Sequence, residues 1–63
     1  MPLAQISLLE GASADQKKAV IASVTDAIAT SLAASPASVR VLLTELPDTH
    51  WGVGGKSVAD LKA

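Results

Sequence analysis

The feature that most restricts the fold is a long amphipathic segment lying between two short apolar runs. The segment begins at Ser13-Ala14-Asp15-Gln16, in which Ser13 and Gln16 have the spacing of a helix capping box. Its apolar residues recur with the helical period, and they are Val20, Ile21, Val24, Ala27, Ile28 and Leu32. Ser35-Pro36 closes the segment, because the residue before a proline is disfavoured in a helix. The pattern predicts one helix of about twenty residues.

The apolar run on each side of this helix has the character of a β-strand. Pro2 to Leu9 is the first, and Val39 to Leu46, rich in β-branched and leucine residues, is the second. A strand, a helix and a strand form a right-handed crossover, so the two strands are expected to be parallel. Glycines after Pro47-Asp48 indicate a short hairpin or loop, whereas residues 56–63 are too few to assign. The predicted fold class is α+β, with a single βαβ unit and a short C-terminal hairpin in one domain, 1–63.

A single helix can cover only one face of a two-stranded sheet. The opposite face, which carries Arg40 and Leu42, needs another cover. A domain of 63 residues buries only about 60% of the surface of its unfolded chain, and it usually needs a disulfide, a metal or a partner. The sequence has no cysteine and one histidine, yet 49% of its residues are hydrophobic. Self-association is therefore expected, with dimers, trimers of dimers and other assemblies all left open.

Charge and hydropathy argue against nucleic acids and membranes as partners. Five Lys and Arg residues against six Asp and Glu give a net charge of −1, which provides no basis for binding nucleic acid or an anionic membrane. The amino terminus lacks the pattern of a signal peptide, and no apolar run approaches the roughly 20 residues of a membrane span. A soluble cytoplasmic protein is expected. Gly55-Lys56-Ser57 resembles the end of a phosphate-binding loop, but His50 stands where that motif requires its first glycine.

Pro2, directly behind Met1, is the first candidate for chemistry. Methionine before a small residue is normally removed, and the mature chain would then begin with a secondary, ring-constrained amine. An α-amine has a reference pKa of about 7.7–8.0, so a modest downward shift would leave it mostly uncharged at neutral pH. A neutral amine of this kind can act as a proton-shuttling base. The structural alternative is that Pro2 only starts an extended strand.

Other residues at set distances from Pro2 strengthen the chemical interpretation. They are Gly11, Ser13-Ala14-Asp15-Gln16, Ser38-Val39-Arg40-Val41 and His50-Trp51-Gly52-Val53-Gly54-Gly55. From Pro2 to Gly55 the sequence resembles the 4-oxalocrotonate tautomerase family. The resemblance implies a cofactor-free, metal-free keto–enol isomerase that uses its amino-terminal proline as catalytic base. It also implies a hexamer, built as a trimer of dimers, with active sites at the subunit interfaces.

The same resemblance implies roles for individual residues. Pro2 would be the general base and then the general acid, and Arg40 would hold the carboxylate end of an unsaturated 2-hydroxy or 2-keto acid. Trp51 occupies the place of a phenylalanine that walls the pocket, and Leu9 and Val53 are expected to line it. Two structural alternatives stay open. Arg40 could form an ion pair with Glu45 or Glu10, and Trp51 could anchor a subunit interface.

Ala12 is the main departure from the family pattern. A well-known member has arginine here, where it holds the distal carboxylate of a diacid. Loss of such a contact could cost about 1.5–3 kcal/mol, or roughly ten- to more than a hundredfold in affinity. Lys17, Lys18 or Lys62 could replace that charge, although nothing in the sequence places them at the site. The expected substrate therefore has one keto-acid carboxylate and a less polar distal end.

Two further functions remain as alternatives. A hydratase or dehalogenase-type relative would need a protonated Pro2 and a carboxylate to activate water, and Glu45 is the only carboxylate in the second predicted strand. A non-catalytic oligomeric module would keep the fold and lose the activity, and the absence of the arginine at Ala12 motivates this possibility.

Overall fold

A computed structural model describes the whole chain, residues 1–63. Its elements in chain order are β1 (Leu3–Leu9), α1 (Ala14–Leu32), a first 3₁₀ turn (Pro36–Ser38), β2 (Arg40–Leu46), a second 3₁₀ turn (Asp48–His50), β3 (Gly52–Val53), β4 (Lys56–Ser57) and α2 (Val58–Lys62). Strands β1 and β2 are parallel, and β3 and β4 form an antiparallel hairpin. The predicted α+β fold, with one βαβ unit and a short C-terminal hairpin, is confirmed.

The register of the parallel pair places like ends of the two strands together. Leu3 lies opposite Arg40 at the amino ends, and Leu9 lies opposite Leu46 at the carboxyl ends. Helix α1 covers the face formed by Ala4, Ile6, Leu8, Val41 and Leu43, whose residues are half-buried. The other face is largely bare, since Leu3 is 57% exposed and Leu42 is 51% exposed. The predicted uncovered face is therefore present in the single chain.

The start of α1 follows the predicted capping box. The Ser13 hydroxyl accepts a hydrogen bond from the Gln16 amide (3.0 Å), and the Gln16 side chain accepts one from the Ser13 amide (2.9 Å). These contacts satisfy two amides that have no partner within the helix. Gly11 enters the turn before the cap with a φ of 129°, which a residue with a Cβ rarely adopts.

The end of α1 differs from the prediction. The helix stops at Leu32, three residues before Ser35, because Ala33 takes the left-handed conformation with a φ of 51°. The Ala34 amide then donates to the Ala29 carbonyl (2.9 Å), as in a Schellman motif. Ser35-Pro36 opens the first 3₁₀ turn instead, where the Ser35 hydroxyl accepts from the Ala37 amide. A left-handed residue at a helix end is usually glycine, so an alanine there gave no signal in the sequence that the helix ends at this point.

The last eight residues contain structure that the sequence did not assign. Ser57 caps α2 by accepting a hydrogen bond from the Asp60 amide at 3.1 Å. Serine followed three residues later by an acidic residue is a helix-start signal, but α2 has only five residues. Lys62 of α2 lies 3.6 Å from the Asp48 carboxylate, which ties α2 to the second 3₁₀ turn. No helix in the chain combines the length and the apolar character needed to cross a membrane.

A single chain does not enclose a core. Only Ala29 and Val39 are buried, and even these remain 7% and 8% exposed. The radius of gyration is 14.7 Å, against about 11 Å for a compact chain of this length. The accessible surface is 4461 Å², whereas a compact monomer of this mass exposes about 3,700 Å². The thinnest dimension is 13 Å, so the chain is a flat plate with one bare side.

The left-handed Ala33 leads to a stability prediction. Replacing Ala33 with glycine relieves about 1–2 kcal/mol of left-handed strain and adds about 0.5–1 kcal/mol of unfolded-chain entropy. Ala33→Gly should therefore raise the free energy of unfolding by about 0.5–1 kcal/mol. Urea unfolding at fixed protein concentration measures the change. The matched control, Ala22→Gly on the exposed middle of α1, should lower stability by about 1 kcal/mol. A loss of stability in Ala33→Gly would contradict the strain argument.

Candidate active site

The structure brings Pro2 and Arg40 together at the amino ends of β1 and β2. The Arg40 amide donates a hydrogen bond to the Pro2 carbonyl at 2.9 Å, which is the first rung of the parallel ladder. Pro2 is half-buried, and Met1 in front of it is 85% exposed. While Met1 is attached, the Pro2 nitrogen is an amide and has no basic lone pair. The candidate base and the candidate cation are thus backbone neighbours.

Backbone carbonyls hold the Arg40 side chain. Its Nη1 donates to the Ala37 carbonyl at 2.8 Å and to the Val39 carbonyl at 3.3 Å. The alternative ion pair with Glu45 is wrong, because Glu45 binds Lys17 instead, and Arg40 has no carboxylate partner in the chain. The guanidinium charge is therefore not neutralised. Its Nε and Nη2 donors are free of protein partners and can bind an anion.

The guanidinium lies on the outer edge of β2, away from β1. In a trans peptide the N–H and C=O bonds point in opposite directions. Because the Arg40 amide points toward Pro2 of β1, the Val39 carbonyl of the same peptide points to the far edge of β2. Nη1 lies at that carbonyl, so β2 stands between the charge and the Pro2 nitrogen of the same chain.

The other candidate pocket residues lie at the opposite end of the sheet. Leu9 ends β1, and the six steps of about 3.3 Å from Leu3 place it about 20 Å from the start of the strand. Trp51 follows the second 3₁₀ turn, beyond the end of β2, and is half-buried; its carbonyl accepts from the Val58 amide at 2.8 Å. Val53 in β3 is 53% exposed. One chain brings Pro2 to Arg40, but it does not bring either of them to Trp51.

Two of the lysines considered as replacements for the charge absent at Ala12 are already paired. Lys17 binds Glu45, with each side chain about one-third exposed, and Lys62 lies near Asp48. Lys18 has no ion-pair partner and lies on the exposed side of α1. The pairing of Glu45 with Lys17 also weakens the hydratase or dehalogenase alternative, since this carboxylate would have to activate water.

Sequence reasoning missed the carbonyls of Ala37 and Val39 that orient Arg40. A backbone carbonyl has no residue-type signature, so composition and spacing cannot identify it. The one available signal was Ser35-Pro36, which predicts a short turn immediately before the strand that carries Arg40.

Comparison with protein families identifies one that spans nearly the whole chain. A family model described as tautomerase enzyme matches residues 2–61. The 2-hydroxymuconate tautomerase of Stutzerimonas stutzeri is 53% identical over 57 residues, which cover 90% of each chain. The 2-hydroxymuconate tautomerase of Comamonas testosteroni is 48% identical over 61 residues, which cover 97% of each chain.

Solved structures with the same fold agree closely with this chain. A heterohexamer 4-oxalocrotonate tautomerase from Chloroflexus aurantiacus superposes with a TM-score of 0.93 at 41% identity, over 97% of this chain and 98% of that one. TomN, a 4-oxalocrotonate tautomerase homologue of the tomaymycin biosynthetic pathway, superposes with a TM-score of 0.95 at 38% identity. That alignment covers 97% of this chain and 94% of TomN.

Proposed function

The chain belongs to the tautomerase family and is an isomerase, and we propose that it is a cofactor-free keto–enol tautomerase whose base is the amine of Pro2. The proposed substrate is an unsaturated 2-hydroxy or 2-keto acid of the 2-hydroxymuconate type. The observation that carries the proposal is that Arg40, whose backbone is paired with Pro2, has a guanidinium without a carboxylate partner. Pro2 and Arg40 both fall within the residues that match the family model.

In the proposed mechanism Pro2 moves one proton between two atoms of the substrate. After removal of Met1, the neutral secondary amine takes the proton from the 2-hydroxyl group of the dienol. The O–H electron pair forms the C=O bond, and the conjugated C=C electrons shift toward the distal carbon. The prolinium then returns the proton to that carbon, forming a C–H bond and regenerating the amine. No atom or electron is gained or lost overall, so the reaction needs no co-reactant.

Arg40 binds the acid end of the substrate in this mechanism. Its free Nε and Nη2 donors have the fork geometry that grips a carboxylate with two parallel hydrogen bonds. The same charge stabilises negative charge that develops on the neighbouring 2-oxygen during proton transfer. Support comes from Nη1, which two carbonyls already hold in place, while Nε and Nη2 have no protein partner.

The site is completed by other copies of the chain in a homo-oligomer, proposed as a trimer of dimers. Pro2 and Trp51 lie at opposite ends of one chain, so Trp51, Leu9 and Val53 meet a Pro2 only across an interface. The bare sheet face supports this assembly, as does the heterohexamer from Chloroflexus aurantiacus. In the assembly these apolar side chains exclude water and favour the neutral form of the amine.

Removal of Met1 should switch the activity on. The chain is short enough for both forms, residues 1–63 and 2–63, to be made by peptide synthesis and checked by intact mass. Only the form that begins with Pro2 should convert 2-hydroxymuconate or phenylenolpyruvate from enol to keto, followed by ultraviolet absorbance. Pro2→Ala in the shorter form should remove most of this activity, because the ring-constrained secondary amine is lost. Equal activity of the two forms would refute Pro2 as the base, and inactivity of both would favour a non-catalytic oligomeric module.

Ala12 leads to a proposal about substrate choice. Without a cation at this turn, the chain should prefer the monoacid phenylenolpyruvate to the diacid 2-hydroxymuconate in kcat/KM. Ala12→Arg should shift the ratio toward the diacid by about ten- to a hundredfold, because it restores one charge-assisted contact. Ala14→Arg, which adds the same charge two residues away on the exposed start of α1, is the matched control. Equal efficiency of the unaltered chain on both acids would remove the basis for this assignment.

Leu42 tests the proposed assembly. It is 51% exposed on the bare face, two residues from Arg40, and a second cation placed there would have to be buried without an anion in an oligomer. Leu42→Lys should therefore lower the molar mass measured by light scattering and abolish activity together. Ala22→Lys, on the exposed side of α1, should leave both unchanged. An intact, active assembly with Leu42→Lys would show that this face is not the interface.

A further inference from the structure

We propose that the first 3₁₀ turn is a positioning device for Arg40, and that the Ser38 hydroxyl is the side chain on which it depends. The inference rests on the carboxylate-binding role proposed above for Arg40. The turn contributes no charge of its own and contains no group expected to touch the substrate. Its function is to present one backbone carbonyl to the guanidinium.

Both carbonyls that hold Nη1 are themselves fixed from the other side of their peptide planes. The Ala37 carbonyl belongs to the peptide whose N–H is that of Ser38, and this N–H donates to the Ser35 carbonyl at 2.9 Å. The Val39 carbonyl belongs to the peptide whose N–H is that of Arg40, and this N–H donates to the Pro2 carbonyl at 2.9 Å. Because N–H and C=O are antiparallel in a trans peptide, each of these hydrogen bonds directs a carbonyl toward Nη1.

Side-chain hydrogen bonds fix the first 3₁₀ turn, which carries the Ala37 carbonyl, whereas no side chain of the turn fixes the Val39 carbonyl just before β2. The Ser38 hydroxyl donates to the Ser35 carbonyl at 2.7 Å, so this carbonyl receives both the amide and the hydroxyl of Ser38. The Ser35 hydroxyl accepts from the Ala37 amide at 3.3 Å, and the ring of Pro36 fixes its φ. The Val39 carbonyl needs no such support, because the sheet ladder holds it. Of the two carbonyls that hold Nη1, the Ala37 carbonyl is therefore the one whose position depends on side chains of the turn.

Holding Nη1 affects how the rest of the guanidinium meets an anion. The group is planar, so fixing one nitrogen against two carbonyls restricts the directions of Nε and Nη2. A side chain ordered in advance loses less entropy when a carboxylate binds. Loss of the Ser38 hydroxyl should therefore weaken carboxylate binding without removing any charge or any substrate contact.

The first test is a kinetic double-mutant cycle. Ser38→Ala should lower kcat/KM for phenylenolpyruvate by about two- to tenfold, chiefly through KM, which is the effect of one typical hydrogen bond. Ser38→Thr should restore it, and Ser23→Ala, an exposed serine without a side-chain hydrogen bond, should have no effect. In an Arg40→Ala background the Ser38→Ala change should cost nothing further, because the two act as one unit. If turnover in that background is too slow, the Kd of the keto product phenylpyruvate, measured by Trp51 fluorescence, replaces kcat/KM.

A second measurement does not depend on activity. Arg40 is the only arginine in the sequence, so its Nε–H gives one unambiguous signal in a ¹⁵N spectrum of the symmetric assembly. Ser38→Ala should lower the order parameter of this Nε–H, whereas Ser23→Ala should not.

Two results would overturn the proposal. An equal loss of kcat/KM from Ser38→Ala with and without Arg40 would mean that the hydroxyl only stabilises the fold. An unchanged Nε–H order parameter would mean that the turn does not hold the guanidinium. A separate result, unchanged kcat/KM in Arg40→Ala alone, would refute the role proposed for Arg40 itself, and the order parameter would still decide whether the turn positions it.

Discussion

One helix on a two-stranded parallel sheet is the constraint on which the rest of this structure depends. The crossover between parallel strands carries α1 to one face, and no later element returns to cover the other. Parallel sheets are normally buried on both faces, yet Leu3 and Leu42 stand more than half exposed here. Full burial of one leucine side chain is worth about 1.5–3 kcal/mol, a large fraction of the stability of any small domain. Covering this face with another copy, as we propose, would therefore stabilise the fold as well as complete the site.

The same topology decides what one chain can and cannot place together. Parallel strands in direct register bring their amino ends to the same end of the sheet, which is why Pro2 and Arg40 share a backbone hydrogen bond. The chain then leaves β2 at the opposite end of the sheet, so the hairpin that follows Trp51 lies far from that pair. The guanidinium of Arg40 also points away from β1, which separates it from the Pro2 nitrogen of the same chain. In the assembly we propose, an active site therefore draws on more than one subunit, because no single chain surrounds a substrate.

Features signalled by side-chain type were visible in the sequence, and features that depend on backbone conformation alone were not. The capping box at Ser13 and Gln16 and the turn at Ser35-Pro36 depend on neighbours within three residues, so spacing was enough to predict them. The end of α1 was missed because Ala33, an alanine, adopts the conformation that usually marks a glycine. The two carbonyls that hold Arg40 could not be predicted, because every residue has a backbone carbonyl and its orientation leaves no mark in the sequence.

Strand geometry by itself excludes one of the alternatives raised for Arg40. Arg40 and Glu45 are five positions apart on the same strand, and successive side chains of a strand point to opposite faces. An odd separation therefore puts these two side chains on different faces, where they cannot form an ion pair. Glu45 faces α1 and meets Lys17, whereas the Arg40 side chain leaves β2 on the bare face, and its guanidinium lies at the outer edge of the strand without a counter-ion. In the assembly that we propose, burying this charge is costly unless an anion joins it, and the carboxylate of the proposed substrate would supply that anion.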